Sequence, residues 1–558
     1  MGENNTNGRN PVTRILRILK LEKKEISSIY FFAMVNGLVQ LSLPLGIQSI
    51  ISFVLGGAIS TSLVVLIILV VMGVLLNGFV SLNQMQLIEK VQQKLFVRYS
   101  FEYANRIPRL DLKSVDHYYL PELVNRFFDT ISLQKGISKL LLDIPTASIQ
   151  IVFGMLLLSF YHPVFIGFSI FLVLLVGLIL NYSAPNGMKT SIQESDFKYK
   201  VAGWLEELSR AIKSFKFSKG TMLNMKQTDK LVSGYLEART SHFKILVLQY
   251  WTLILFKVLI TAIMLTVGSY LLINQQLNIG QFIAAEIVIL LVLNSVEKLI
   301  IHLDKVYDVL TSVEKLSKIT DQPVDEDGSI RLEKKSRGIT VSVKQLEFSY
   351  QTLPILKNVS FFAEPGQKIA ITGGNGSGKS TLLKVLSGAY ADFSGTIMID
   401  NIPIRNYHID SYREQTGILL NQQDLFNGTL MDNITMGNQD VSPEDIMTLT
   451  NKLGLKNFLE EHEKGFSTLL DPVGNRLSRT VIQKILLLRA LVNHPRLLLL
   501  EEPWTNLEEN IQRDIQEYLL KNCPATTVLV VTNDEAFSKK CDHILYLADG
   551  DSTFRSNL

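Results

Sequence analysis

The sequence predicts two fold classes in one chain: a membrane-embedded all-α domain of six transmembrane helices, then an α/β domain built around a phosphate-binding loop. Three observations carry that prediction. The 558 residues are 47% hydrophobic with a mean hydropathy of +0.22, yet 19% are charged, so the average mixes an apolar part with an ordinary one. Apolar runs long enough to span a hydrocarbon core recur through the first 300 positions and then stop. Beyond residue 338 the pattern changes to short alternating segments and a glycine-rich loop.

The same figures exclude other classes. A disordered chain is poorer in apolar residues, and a net charge of +3 gives no basic excess for a nucleic-acid partner. Two cysteines, Cys523 and Cys541, are too few for a secreted disulfide scaffold and lack a CxxC spacing. They suit a reducing compartment.

Residues 1–12 (MGENNTNGRNPV) read as a disordered polar tail, with no signal-peptide pattern. The transmembrane domain is expected over 13–314. Its first stretch, TRILRILKLEKK, interleaves Ile15, Leu16, Ile18, Leu19 and Leu21 with Arg14, Arg17, Lys20, Lys23 and Lys24. That suits either a helix lying on a membrane surface or a solvated basic leader. Six spans follow at about 27–55, 61–81, 138–160, 163–182, 246–273 and 279–300.

Loop charge fixes the expected topology. The connections after spans 1, 3 and 5 are short (GGAIS, YH, NQQLN) and contain no Lys or Arg. The long connections carry eight such residues between 82 and 137, and eleven between 183 and 244. The positive-inside rule then places both long loops and both termini in the cytoplasm. LNQMQLIEKVQQKLFVRYSFEYANRI and FKYKVAGWLEELSRAIKSFKF show helical spacing, so the loops read as extensions of the spans.

Charge inside a span is costly. At 1.5 Å per residue, Lys257 and Glu297 each lie on the order of 25 Å from the turn between spans 5 and 6, and Glu286 about 10 Å. Lys257 and Glu297 are thus positioned either to pair or to sit separately at the cytoplasmic edge. Glu286 cannot join them and is the candidate for a polar cavity.

A charged linker is expected over 315–337, and the second domain over 338–558. ITVSVKQLEFSY alternates like a strand, LPILKNVSFFA follows, and GQKIAIT runs into GGNGSGKST at 373–381. Gly373, Gly378, Lys379 and Ser380 satisfy GxxxxGK[ST] between a strand and a helix. Such a loop turns backbone N–H groups onto phosphate, adds the lysine's point charge and offers a hydroxyl to a magnesium ion. Downstream, the apolar run Leu497–Leu500 ends in Glu501 and Glu502. Paired carboxylates at the end of a buried strand suit a nucleotide site: one for the metal, one for the attacking water.

On these features the chain resembles an ATP-binding cassette (ABC) exporter half-transporter of the haemolysin and peptide-exporting branch, without its peptidase domain. The resemblance runs from about residue 13 to the end. It implies ATP and Mg2+ as cofactors and cradling of the nucleotide by Gly373, Gly374, Asn375, Gly376, Ser377, Gly378, Lys379, Ser380 and Thr381. It further implies adenine stacking by Tyr350, metal ligation by Ser380, Gln422 and Glu501, and catalysis by Glu502 with Gln422 and Asn533. Without a gap, Asn421 takes the glutamine's place; with one, Gln422 does. Ser478, Arg479 and Thr480 fall on the segment that faces the ATP held by a second subunit.

Several positions depart from the family. Glu501 replaces a metal-organising aspartate, and LSRTV at 477–481 replaces LSGGQ, so Cβ atoms stand where glycine allows close approach. Asn533 replaces the switch histidine and cannot carry a proton charge. TNLEE at 505–509 replaces Ser-Ala-Leu-Asp. The nucleotide-binding domain is therefore expected to be degenerate. The resemblance implies ATP-driven export of a peptide or protein across a bacterial inner membrane, by a homo- or heterodimer. A membrane-fusion adaptor is a further implied partner, membrane lipid surrounds the spans, and no nucleic-acid partner is expected. The alternative is a nucleotide-binding but hydrolytically weak subunit of an export complex. The segment YYLPELVNRFFD, 118–129, reads as a docking element for the cassette or as an ordinary amphipathic helix.

Overall fold

The computed structural model describes residues 11–56, 61–218, 220–421, 423–471 and 477–557. The chain divides into two units: residues to Pro108 with His117–Gln322, and Arg109–Asp116 with Pro323 onward.

The first unit is helical: α1 Pro11–Leu21, α2 Lys23–Gln40, α3 Ser42–Leu55 and α4 Thr61–Arg106 lead. The short α5 Leu112–Val115 belongs to the other unit, and α6 Leu120–Asn125, α7 Asp129–Tyr161, α8 Val164–Arg210 and α9 Ile212–Phe217 follow. α10 Leu223–Ile273, α11 Ile279–Ile301 and α12 Leu303–Thr320 complete the set. Among the described residues five helical runs are long and apolar enough to cross a membrane, and Val164–Leu178 is a shorter apolar stretch at the start of α8. Every exposed side chain from Val64 to Phe79 on α4 is apolar, as a lipid-facing surface requires.

The helices continue well past the apolar windows: α8 has 47 residues and α10 has 51. Their polar halves still bury side chains, including Tyr199 and His242. An Asn278 capping box with Gln281 starts α11 after the short turn. Lys257 on α10 meets Glu297 on α11 at 2.6 Å. Glu286 does not join them, and its Oε2 is buried without a hydrogen-bond partner among the described residues.

Two boundaries differ from the sequence reading. α1 already begins at Pro11, inside the expected 1–12 tail, whose residues 1–10 lie outside the described residues. α12 continues to Thr320, into the segment expected to be linker, because its small and polar residues Thr311, Ser312, Lys315 and Ser317 are buried in helix packing. An apolarity count does not register that stripe.

The second unit holds a ten-stranded sheet. Its strands are β1 Val341–Tyr350, β2 Leu353–Ala363, β3 Lys368–Gly373, β4 Ser394–Ile399, β5 Ile402–Pro403, β6 Thr416–Leu419, β9 Leu497–Glu501, β10 Thr527–Val531, β11 His543–Ala548 and β12 Asp551–Ser556. A separate pair is β7 Gly428–Thr429 with β8 Leu469–Leu470. The order is β5-β4-β1-β2-β12-β11-β3-β10-β9-β6. β3, β10, β9 and β6 are mutually parallel, so their carboxyl ends lie along one edge. β9 and β10 are buried along their whole length, which explains their uninterrupted apolar runs.

Arg109–Asp116 is stitched into this unit. Leu110 bridges Val324, Asp111 N–H donates to Pro323 O at 3.1 Å, and Asp325 N–H donates to Arg109 O at 2.7 Å. Arg109 pairs with Asp410 at 2.6 Å, Lys113 pairs with Asp392, and Tyr390 Oη donates to Asp116 at 3.2 Å. Beside this joint lies a cavity of about 320 Å³ lined by Asp111, Asp325, Tyr390, Phe393, Arg405 and Tyr407, among others. The residues grouped with the cassette thus precede 118–129, which belongs to the helical unit. Residues 323–337 are likewise held down: buried Arg496 donates to the carbonyls of Glu333, Arg337 and Gly338, and to Asp400 at 2.6 Å.

Candidate nucleotide site

The site is assembled by register. Val531 on β10 aligns with Ile371 on β3 and with Glu501 on β9, so three carboxyl ends deliver the phosphate loop, the Glu501–Glu502 pair and Asn533 to one place. Ligands of parallel sheets characteristically bind at such an edge. The cavity there measures about 340 Å³ and is lined by Asn375–Thr381, Ile355, Asn421, Glu501, Glu502, Val531 and Asn533.

The loop conformation depends on glycine at two points. Gly373 has φ +146°, and a Cβ there would lie 2.2 Å from Leu547 O. Gly378 has φ +97°, and its Cβ would lie 2.7 Å from Leu356 Cδ2. Gly378 precedes α13 Lys379–Leu386, whose N-terminus borders the cavity. Lys379 Nζ donates to the carbonyls of Gly373 at 2.8 Å and Gly374 at 2.7 Å. Ser377 Oγ is buried with no hydrogen-bond partner among the described residues.

The two glutamates are held differently. Glu501 is buried; Ser380 Oγ donates to its Oε1, and Asn421 N–H donates to its Oε2 at 3.0 Å. Glu502 takes the left-handed conformation at φ +43°, which turns it out of the strand. Asn533 Nδ2 donates to Glu502 Oε1 at 3.0 Å. Burial pushes the Glu502 carboxyl above the usual glutamate range; Lys379 opposes this, neighbouring Glu501 adds to it, and hydrogen bonding from Asn533 opposes it.

Other expected residues lie elsewhere. The Tyr350 ring packs edge-on against Phe348 at 5.0 Å and Tyr390 at 5.6 Å and does not line the cavity. Ser478, Arg479 and Thr480 open the helix Arg479–Leu491, with the Ser478 hydroxyl capping Val481 N–H. Ser478 and Arg479 are exposed, and Thr480 Oγ1 donates to Asn506 O at 2.9 Å. Gln422 lies outside the described residues. Sequence reasoning missed Gln483, whose Nε2 donates to Pro503 O at 3.1 Å and braces the turn after Glu502. No local pattern marks that contact. Asn421 acts through its main chain, which side-chain motifs do not reveal.

The donor set fits a hard divalent cation bound together with phosphate. Ser380 and Glu501 offer adjacent oxygens, yet no group of three or more His, Cys, Asp or Glu side chains comes together among the described residues. A cation here needs phosphate oxygens to complete its shell.

Comparison with known proteins identifies the family. The profile described as ABC transporter transmembrane region matches residues 26–296, and the profile described as ABC transporter matches 356–505, about three quarters of the chain together. The chain belongs to the ABC transporters. It is similar to heavy metal tolerance factor 1 of Caenorhabditis elegans, 35% identical over 39% of this chain and 27% of that protein. It is also similar to the alpha-hemolysin translocation ATP-binding protein HlyB of Escherichia coli O157:H7, 29% identical over 52% of this chain and 41% of the relative. An ATP-dependent lipid A-core flippase of Syntrophus aciditrophicus is 26% identical over 51% and 47%. The chain thus spans less than half the length of these curated relatives. Among ABC transporters of known structure, a bacterial Atm1-family exporter with ATP bound has the same fold, with a TM-score of 0.84 over 96% of this chain and 95% of that one at 17% identity.

Proposed function

We propose that this ABC transporter chain is one half of an ATP-driven exporter, working as a dimer in a bacterial inner membrane with its cassette and termini in the cytoplasm. The observation that carries the reading is the convergence of Lys379, Ser380, Glu501 and Glu502 on one cavity in a chain that also carries a membrane-spanning helical domain. Loop N–H groups and Lys379 hold the phosphates, and Glu502 polarises the attacking water while Asn533 fixes its carboxylate. Ser380, Glu501 and Gln422 would hold Mg2+; the cation's contribution would be to neutralise charge on the phosphate oxygens. Tyr350 would support adenine, and Ser478, Arg479 and Thr480 would face the partner subunit's nucleotide. Similarity to a protein named for alpha-hemolysin translocation supports a peptide or protein cargo, to which a membrane-fusion adaptor would give onward passage.

A second reading has its own support. Arg479 and Thr480 place side chains where two glycines would leave backbone bare, which favours a chain that binds ATP but turns it over slowly as a homodimer. Phosphate release by the purified chain, set against Glu502→Gln, separates the two. Release well above that variant supports autonomous export, and release equal to it supports a structural or regulatory subunit working with a second half-transporter. Restoring glycine at Arg479 and Thr480 together should raise turnover; no change refutes the blocked-segment explanation.

A further inference from the structure

We infer that Glu501 makes the metal site of this cassette a direct-carboxylate site that favours Mn2+ over Mg2+; the inference rests on the nucleotide-binding reading above. Glu501 ends β9 between the parallel neighbours β10 and β6, so its backbone cannot withdraw. The residue is 4% exposed, and both carboxylate oxygens are engaged, Oε1 by the Ser380 hydroxyl and Oε2 by Asn421 N–H. An aspartate would end about 1.5 Å sooner, a carbon–carbon bond length, leaving space for a water beside Ser380. Glu501 fills that space. A cation that binds the Ser380 hydroxyl therefore meets the carboxylate oxygen itself instead of a water held by it.

The two ions respond differently to that exchange. Mg2+ demands near-ideal octahedral geometry and gives up water reluctantly, whereas Mn2+ is larger and accepts a carboxylate in place of a water more readily. The second anchor sharpens the difference. Asn421 N–H fixes Oε2, so the carboxylate cannot swing away to readmit a water without losing that bond.

The test is equilibrium dialysis of ATP against the full chain in lipid nanodiscs, with EDTA, saturating Mg2+ or saturating Mn2+. The expected result is ATP binding about tenfold tighter with Mn2+ than with Mg2+, a ratio that Glu501→Asp reduces to about twofold or less. A ratio at or below one in the unmodified chain overturns the inference, whatever the variant does. So does a ratio that Glu501→Asp leaves intact. ATP binding that no metal strengthens overturns the inference alone, whereas no ATP binding under any condition overturns the nucleotide-site reading with it.

Discussion

Removing one member of the Lys257–Glu297 pair gives a bounded and measurable loss. The groups meet at 2.6 Å, and their side chains are 32% and 28% exposed. At an effective dielectric of about 20 the gross attraction is about 6 kcal/mol. Desolvation cancels most of it, and partial exposure screens the rest, leaving a coupling of about 1–2 kcal/mol. Lys257→Met also orphans the Glu297 carboxylate. The assay is reversible SDS-induced unfolding in mixed micelles, followed by fluorescence that includes Trp251 on the same helix, for Lys257→Met, Glu297→Gln and the double variant. Each single variant should lose about 2–4 kcal/mol, and the double about 1–2 kcal/mol less than their sum. The charge-reversed pair should recover most of the loss. Additivity within about 0.3 kcal/mol refutes a direct interaction.

Three further outcomes follow from the cassette. Because burial raises the Glu502 carboxyl, turnover should climb with pH through a limb lying above the ordinary glutamate value of about 4.3; a limb at or below that value, read by phosphate release against pH, contradicts the assigned base. Gly378→Ala forces a Cβ into φ +97° and against Leu356, so ATP affinity should fall about tenfold or more; unchanged affinity in the dialysis assay refutes the geometric demand. Arg496→Ala strands Asp400 and three carbonyls and should cost about 3–5 kcal/mol in unfolding measurements on the full chain, with Arg496→Lys recovering only part; full recovery contradicts the fork geometry.

Legibility differed by the kind of signal. The phosphate loop was readable because glycine, lysine and serine must stand at fixed offsets, and the long helices because apolar spacing persists past the membrane. Glu501 and Glu502 were readable as a pair ending an apolar strand, but not their opposite handling: one is locked by Ser380 and Asn421, the other turned outward by a left-handed backbone. The aromatic segment 118–129 stands out in the sequence, as a docking element or an ordinary amphipathic helix, whereas no local pattern marks Arg109–Asp116 as part of the cassette unit. The latter contains a four-residue helix, Leu112–Val115, capped by Asp111, and is held by charges whose partners lie some 280 to 300 positions away. The helical reach of α12 was hidden by its buried serines and threonines.

The joint at Arg109–Asp116 bears on how the protein can be divided for study. A recombinant fragment cut at residue 338 has a tidy sequence boundary but leaves behind both members of the Leu110–Val324 bridge, the counter-ions of Asp410 and Asp392, and the acceptor of the Tyr390 hydroxyl. It would open the aromatic-lined cavity to solvent and remove two of the three carbonyls that Arg496 grips, those of Glu333 and Arg337. Such a fragment is a different molecule from the cassette within the chain. A faithful truncation would start near Pro323 and carry Arg109–Asp116 grafted or supplied as a peptide.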